Sequence, residues 1–170
     1  LVREVQRAHR DLLERPGEGQ LGEVEGKIYT DWKIIDTIPH EAKLKRYGLD
    51  FGYSNDPTCI VAVYYYNGGY ILDEVTFKNG LLNNQIADVL LNNSPALVIA
   101  DAAEPKSIDD IRLYDIEIQA AVKGPDSVRN GIVNVQDQRV SVTSRSINII
   151  KEYRNYLWET DKDGRVLNEP

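Results

Sequence analysis

The chain has 170 residues, 42% of them hydrophobic, which is enough to bury one sizeable core and too little for two comfortable domains. Its net charge of −7 argues against a generic basic nucleic-acid binder, because such proteins gain affinity by displacing counterions from phosphates with Lys and Arg. A lone cysteine, Cys59, excludes an internal disulfide and a cysteine zinc cluster, and no apolar run approaches the ~20 residues that span a bilayer.

Residues 1–13 place Val5, Ala8 and Leu12 at helical spacing among many charges, and residues 15–26 are rich in Gly and Glu. With Leu1 at the start and no Met in the chain, this stretch reads as an arm in a piece of a longer polypeptide. Residues 27–38 are strand-prone and stop at Pro39, and residues 41–46 are charged. The expected division is an arm over residues 1–45 and a compact domain over residues 46–170.

In that domain, residues 47–51 read as a short buried strand and residues 58–66 as a second. Asn67-Gly68 signals a tight hairpin whose central residues need positive φ, so residues 70–77 should return antiparallel. Leu82, Ile86, Val89 and Leu90 make a helical stripe, and residues 96–100 form the continuous apolar run of a central parallel strand. Pro105 opens a helix with Ile108 and Ile111 inward, residues 116–122 supply another strand, and Val128, Ile132 and Val135 space out a third helix. Residues 139–143 read as a short strand. Ile147, Ile150, Tyr153 and Leu157 form the last stripe, with Ser144 or Ser146 as candidate N-caps.

Two carboxylates stand inside or at the end of apolar strands: Asp50 in YGLDFG and Asp101 in LVIADAAEP. Such positions cost hydration unless a metal ion, a cation or several donors compensate. If the two strands are neighbours, both side chains converge. Paired carboxylates without His or Cys suit Mg²⁺ or Mn²⁺, and two such ions ~4 Å apart support phosphodiester hydrolysis. From position alone, turn capping or pairing with Lys and Arg is an equal reading.

The longer motifs shift this balance. Asp50-Phe51-Gly52-Tyr53-Ser54-Asn55-Asp56-Pro57-Thr58 resembles the first nuclease motif of phage terminase large subunits, and Asp101-Ala102-Ala103-Glu104-Pro105-Lys106-Ser107 resembles their second. The likeness runs on through Val122-Lys123-Gly124-Pro125-Asp126-Ser127 and Lys151-Glu152-Tyr153-Arg154-Asn155-Tyr156 to the turn at Asp163-Gly164. Gly26-Lys27-Ile28-Tyr29, with Trp32, looks like the stretch that joins motor to nuclease in these proteins.

The resemblance implies an α/β, RNase H-like fold: a central mixed sheet, its first three strands antiparallel, flanked by helices. It implies that Asp50 and Asp101 are catalytic and hold Mg²⁺ or Mn²⁺, and that the reaction is cutting of concatemeric DNA as a viral genome is packaged. A further Asp completes the site in this family. No matching segment occurs up to Pro170, so that ligand is expected outside this sequence, and Asp161, Asp163 and Glu169 fit a solvated turn better. Asp56 is a candidate third contact to metal or an ordinary Asp-Pro turn; Lys123 is a candidate phosphate contact or a solvated lysine; Glu104 fits a helix start; His9 and His40 read as surface residues.

Expected partners are double-stranded DNA, the motor domain of the same polypeptide, the portal protein and the small terminase subunit, with no membrane, in the cytoplasm of an infected bacterium. No phosphate-binding loop of the Gly-x-x-x-x-Gly-Lys-Ser/Thr type occurs, so ATP hydrolysis is not expected. Two other readings stand. An actin-like nucleotide enzyme would use Asp50-Phe51-Gly52 as its phosphate turn, and a non-catalytic docking module of the packaging machine would keep the fold alone. Tyr64, Tyr65 and Tyr66 are consecutive on a strand, so they alternate faces instead of forming one stacking platform.

Overall fold

The computed structural model describes residues 26–52, 54–122, 124–125 and 127–159. The expected helix at residues 1–13 lies outside them, as do Lys123, Asp126, Asp161, Asp163 and Glu169. The described residues form seven strands and four helices: β1 (Trp32–Ile35), β2 (Lys43–Asp50), β3 (Thr58–Tyr66), β4 (Gly69–Lys78), α1 (Asn83–Leu91), β5 (Val98–Ala100), α2 (Pro105–Arg112), β6 (Ile118–Ala120), α3 (Ser127–Gln136), β7 (Val140–Thr143) and α4 (Ile147–Asn155).

The strands form one mixed sheet in the order β1-β7-β4-β3-β2-β5-β6. β2, β3 and β4 pair antiparallel in succession, as expected, and the other neighbours are parallel. The β3–β4 hairpin turns on Asn67 (φ 45°) and Gly68 (φ 72°), the conformation that makes Asn-Gly a hairpin signal. Past β4 the chain must cross over to build parallel neighbours, and α1, α2 and α3 are those crossovers.

The two faces are covered by different helices over different halves of the sheet. Ile86 and Leu90 of α1 and Ile108 and Ile111 of α2 bury against Leu49, Ile60, Val98 and Ala100. On the other face, Ile132 and Val135 of α3 and Ile149 and Tyr153 of α4 bury against Cys59, Val61, Leu72, Val140 and Val142. The first core underlies β2, β3, β5 and β6, and the second overlies β3, β4 and β7. The α3–α4 face of β2 therefore sits beside the second core and contributes nothing to it.

The sheet extends further toward the N-terminus than the sequence pattern suggests. β1 pairs with β7, β2 already begins at Lys43, and Ile28 and Tyr29 are core residues. Tyr29 stacks on Tyr153 at 4.7 Å, and the Ile28 N–H donates to the Tyr156 carbonyl at 3.0 Å. The inward stripe of α4 also differs. Ile147 is 70% exposed, while Ile149, Glu152, Tyr153 and Tyr156 are buried. Counting apolar residues alone hides this register, because a carboxylate, Glu152, occupies one of the inward positions.

Candidate active site

Asp50 ends β2 and Asp101 directly follows β5. These strands are parallel neighbours with Leu49 in register with Ala100, and the Asp101 N–H continues the ladder by donating to the Leu49 carbonyl at 3.0 Å. Leu49 and Ala100 both point into the α1–α2 core, so alternation turns the next residues to the opposite face. The two half-buried aspartates thus stand side by side, on backbones ~4.8 Å apart, at the C-terminal edge of the sheet. This edge is where a carboxylate can leave an apolar strand and still reach solvent.

The loop after Asp50 is built tightly. Thr58 Oγ1 accepts from the Gly52 N–H and donates to the Gly52 carbonyl, both at 3.1 Å, closing residues 52–58 into a ring. A Cβ on Gly52 would lie 2.1 Å from the Asp56 carbonyl oxygen and 2.3 Å from the Pro57 carbonyl carbon, so only glycine fits there. Asn79 holds the loop from the end of β4 by donating to the Ser54 and Asn55 carbonyls at 3.3 and 3.2 Å. Asp101 is held too: its Oδ1 accepts the Ala103 N–H at 3.1 Å, fixing the turn into α2.

Asp56 lies half-buried in the same ring, its backbone pressed against Gly52. Glu104 is exposed at the N-cap of α2 and its side chain makes no capping bond. His40 is exposed beside Glu41 at 3.1 Å, in the chain segment before β2.

An acidic pair in β4 escapes the sequence pattern, although it satisfies the same criterion as Asp50, a carboxylate within an apolar strand. Asp73 is 1% exposed and accepts from Thr143 Oγ1 and Arg145 Nε, each at 2.7 Å, and from a terminal nitrogen of Arg145. That pairing raises the Arg145 pKa, chiefly through the hydrogen bond and then through charge. Glu74 turns to the α3–α4 side, where its carboxylate accepts the N–H groups of Asn148 and Ile149, each at 3.1 Å, and the Asn148 side-chain amide at 2.8 Å. It caps α4 from another strand.

Cys59, in register with Asp50, is fully buried. Burial pushes its thiol pKa far up, and the negative fields of Glu74, Asp50 and Glu152 push the same way.

The donor set at the edge is oxygen only. Two carboxylates on neighbouring strands are hard oxygen donors, the kind that suits Mg²⁺ or Mn²⁺ better than zinc. Among the described residues no three His, Cys, Asp or Glu side chains converge tightly enough to hold an ion.

Residues 50–170, the stretch that begins at Asp50 and includes Asp101, match the family described as the terminase RNase H-like domain. The chain belongs to that family. It is 35% identical over 176 aligned positions to the large subunit of terminase from Bacillus phage SPP1, covering 95% of this chain and 40% of the length of that protein. Among solved structures, the g2p large terminase nuclease domain of bacteriophage SPP1 with bound Mn superposes with a TM-score of 0.69 at 26% identity, over 83% of this chain and 87% of the other. The large terminase of a thermophilic bacteriophage superposes with a TM-score of 0.65 at 19% identity, over 79% of this chain and 38% of the other, and supports the fold. The seven-stranded sheet with its antiparallel β2–β3–β4 unit is thus the RNase H-like architecture of terminase nuclease domains.

Proposed function

We propose that this terminase domain is a divalent-metal-dependent DNA endonuclease that cuts concatemeric viral DNA during genome packaging, with Asp50 and Asp101 as its metal ligands. The observation that supports this most is the placement of the two carboxylates on neighbouring parallel strands, on one face, in a domain whose SPP1 relative was solved with bound Mn. A pair of Mg²⁺ or Mn²⁺ ions there would supply Lewis acidity to both sides of the phosphodiester being hydrolysed.

The chain's own residues do the positioning. β2 and β5 fix the separation of the carboxylates, the Gly52–Thr58 ring keeps the loop after Asp50 from swinging, and the Ala103 N–H holds Asp101 in one orientation. Asp56 is close enough in the chain to join them, and Lys123 follows the strand beside Asp101 and would meet phosphate. In the intact protein the partners would be double-stranded DNA, the motor domain, the portal and the small subunit, in the cytoplasm of the host.

The test is cleavage of supercoiled plasmid with Mn²⁺, Mg²⁺ or EDTA by this chain and by a longer polypeptide carrying the expected third ligand. Cutting that needs the cation and is lost on Asp50→Ala and on Asp101→Ala supports the reading. A folded, extended protein that never cuts would leave a docking module of the packaging machine.

A further inference from the structure

Among the described residues α3 and α4 leave half of their face of the sheet uncovered: it begins at Asp50, passes the buried Gly48 and continues down β2 to exposed residues. Arg46 pairs with Val63, and Lys43 pairs with Tyr65. Val63 packs on the α3–α4 core, and alternation puts Tyr65 on that same side. Between the two pairs the register shifts, so Lys45 is an extra residue in β2. Its Nζ lies 5.7 Å from the centre of the Tyr65 ring, which places it on this face as well. The bulge therefore puts three cations, Lys43, Lys45 and Arg46, on the face that carries Asp50, where strict alternation allows two.

All three are exposed, and among the described residues none forms an ion pair. Tyr65 in turn meets Tyr70 edge-on at 5.5 Å across the hairpin. The aromatic pair is made between strands, not by the consecutive tyrosines of β3. On the far side, Glu117 precedes β6 in the row that continues from Arg46, two strands or ~10 Å away, and bounds the strip laterally. At ~3.3 Å per residue the strip reaches from Asp50 to Lys43 over about 23 Å, the length of roughly seven base pairs.

We infer that this strip is the surface along which the phosphate backbone of a DNA duplex is led to the Asp50–Asp101 pair. Its direction rests on the proposed cutting reaction; its chemistry does not. In a chain of net charge −7, a row of cations with no ion pair among the described residues, beside the exposed Tyr65 ring, fits a polyanion, and exposed lysines outside a salt-bridge network gain little from folding itself. The acidic head and basic tail of one face explain how a domain repelled by DNA overall can still hold it in a fixed direction.

The experiment is fluorescence anisotropy of a labelled duplex with the whole chain in EDTA, where no metal-dependent cutting occurs, over a salt series. The variant is Lys43→Gln with Lys45→Gln and Arg46→Gln. A charge-matched control carries Arg129→Gln, Lys151→Gln and Arg154→Gln on α3 and α4, and thermal melts confirm folding of both. The strip variant should bind about tenfold more weakly or worse. Its slope of log affinity against log salt should flatten by between about 1 and 2.7, one increment of ~0.9 for each phosphate no longer neutralised. The control should keep the parent slope. Equal weakening in both variants, an unchanged slope in the strip variant, or no saturable binding by the parent chain would overturn the inference; an unchanged slope would assign the strip to a protein partner. Asp50→Ala separates the two proposals: it should abolish cutting in the extended protein and leave the salt slope intact. A strip effect without cutting by any form would sink the reaction and leave the surface standing.

Discussion

Removing the Glu74 carboxylate should destabilise the domain through a helix more than seventy residues away in sequence. Ser146, the N-cap of α4, cannot cap its own helix, because its hydroxyl accepts the Glu74 N–H at 2.8 Å and meets Thr143 Oγ1 at 2.6 Å. Glu74 does the capping instead, with two backbone N–H groups and one side-chain amide on its oxygens. A capping side chain contributes ~0.5–2 kcal/mol, hydrogen bonds to a charged acceptor ~1.5–3 kcal/mol, and a carboxylate at the positive end of a helix ~0.3–1 kcal/mol. These overlap, and water can reach the first turn because Ile147 is 70% exposed. The net loss for Glu74→Ala should be about 2 kcal/mol. For a chain of this size that lowers Tm by roughly 4–8 °C. Glu74→Gln keeps acceptor oxygen in place and should lose about half as much. Thermal unfolding followed by far-ultraviolet circular dichroism reads both. A fall below about 1 °C for Glu74→Ala would refute the cap as a structural element.

Gly52→Ala should distort or destabilise the loop beside Asp50 by about 1–3 kcal/mol, since the new methyl meets backbone atoms that cannot rotate away; an unchanged melting temperature would contradict this. Cys59 should resist a thiol reagent at about pH 9 in the native protein and react at once in urea, because burial keeps the native thiol protonated while the unfolded thiol ionises at ~8.5. Since the native pKa is the raised one, this group's contribution to stability is complete below the unfolded value and declines as pH rises above it. A Cys59→Ser comparison isolates the slope, and a steeper alkaline loss in the serine variant than in the parent would reverse the sign.

Much of the sheet was legible because its signals are local. Asn67-Gly68 fixes its own turn, and the Ile86, Leu90, Ile108 and Ile111 stripes point inward as their spacing requires. Asp50 and Asp101 were legible for a related reason: a carboxylate in an apolar strand is conspicuous in one dimension, and the register of β2 and β5 then sets the two side by side. What the sequence hid depends on pairs distant along the chain. Nothing local marks Glu74 as the cap of α4, or Glu152 as an inward residue that shifts that helix's stripe. Residues 41–46 read as a charged connector, because the bulge that gathers Lys43, Lys45 and Arg46 on one face of β2 exists only against β3. β1 joined the sheet for a similar reason, through β7 more than a hundred residues later.

The assignment of the site depends on where a divalent cation binds. Crystals of the longer polypeptide that carries the expected third ligand, soaked in Mn²⁺ and measured at the manganese absorption edge, should show an anomalous peak between the carboxylates of Asp50 and Asp101, absent from crystals of Asp50→Asn. No peak there at saturating Mn²⁺, or a peak that persists in Asp50→Asn, would contradict the assignment of this edge of the sheet as the metal centre.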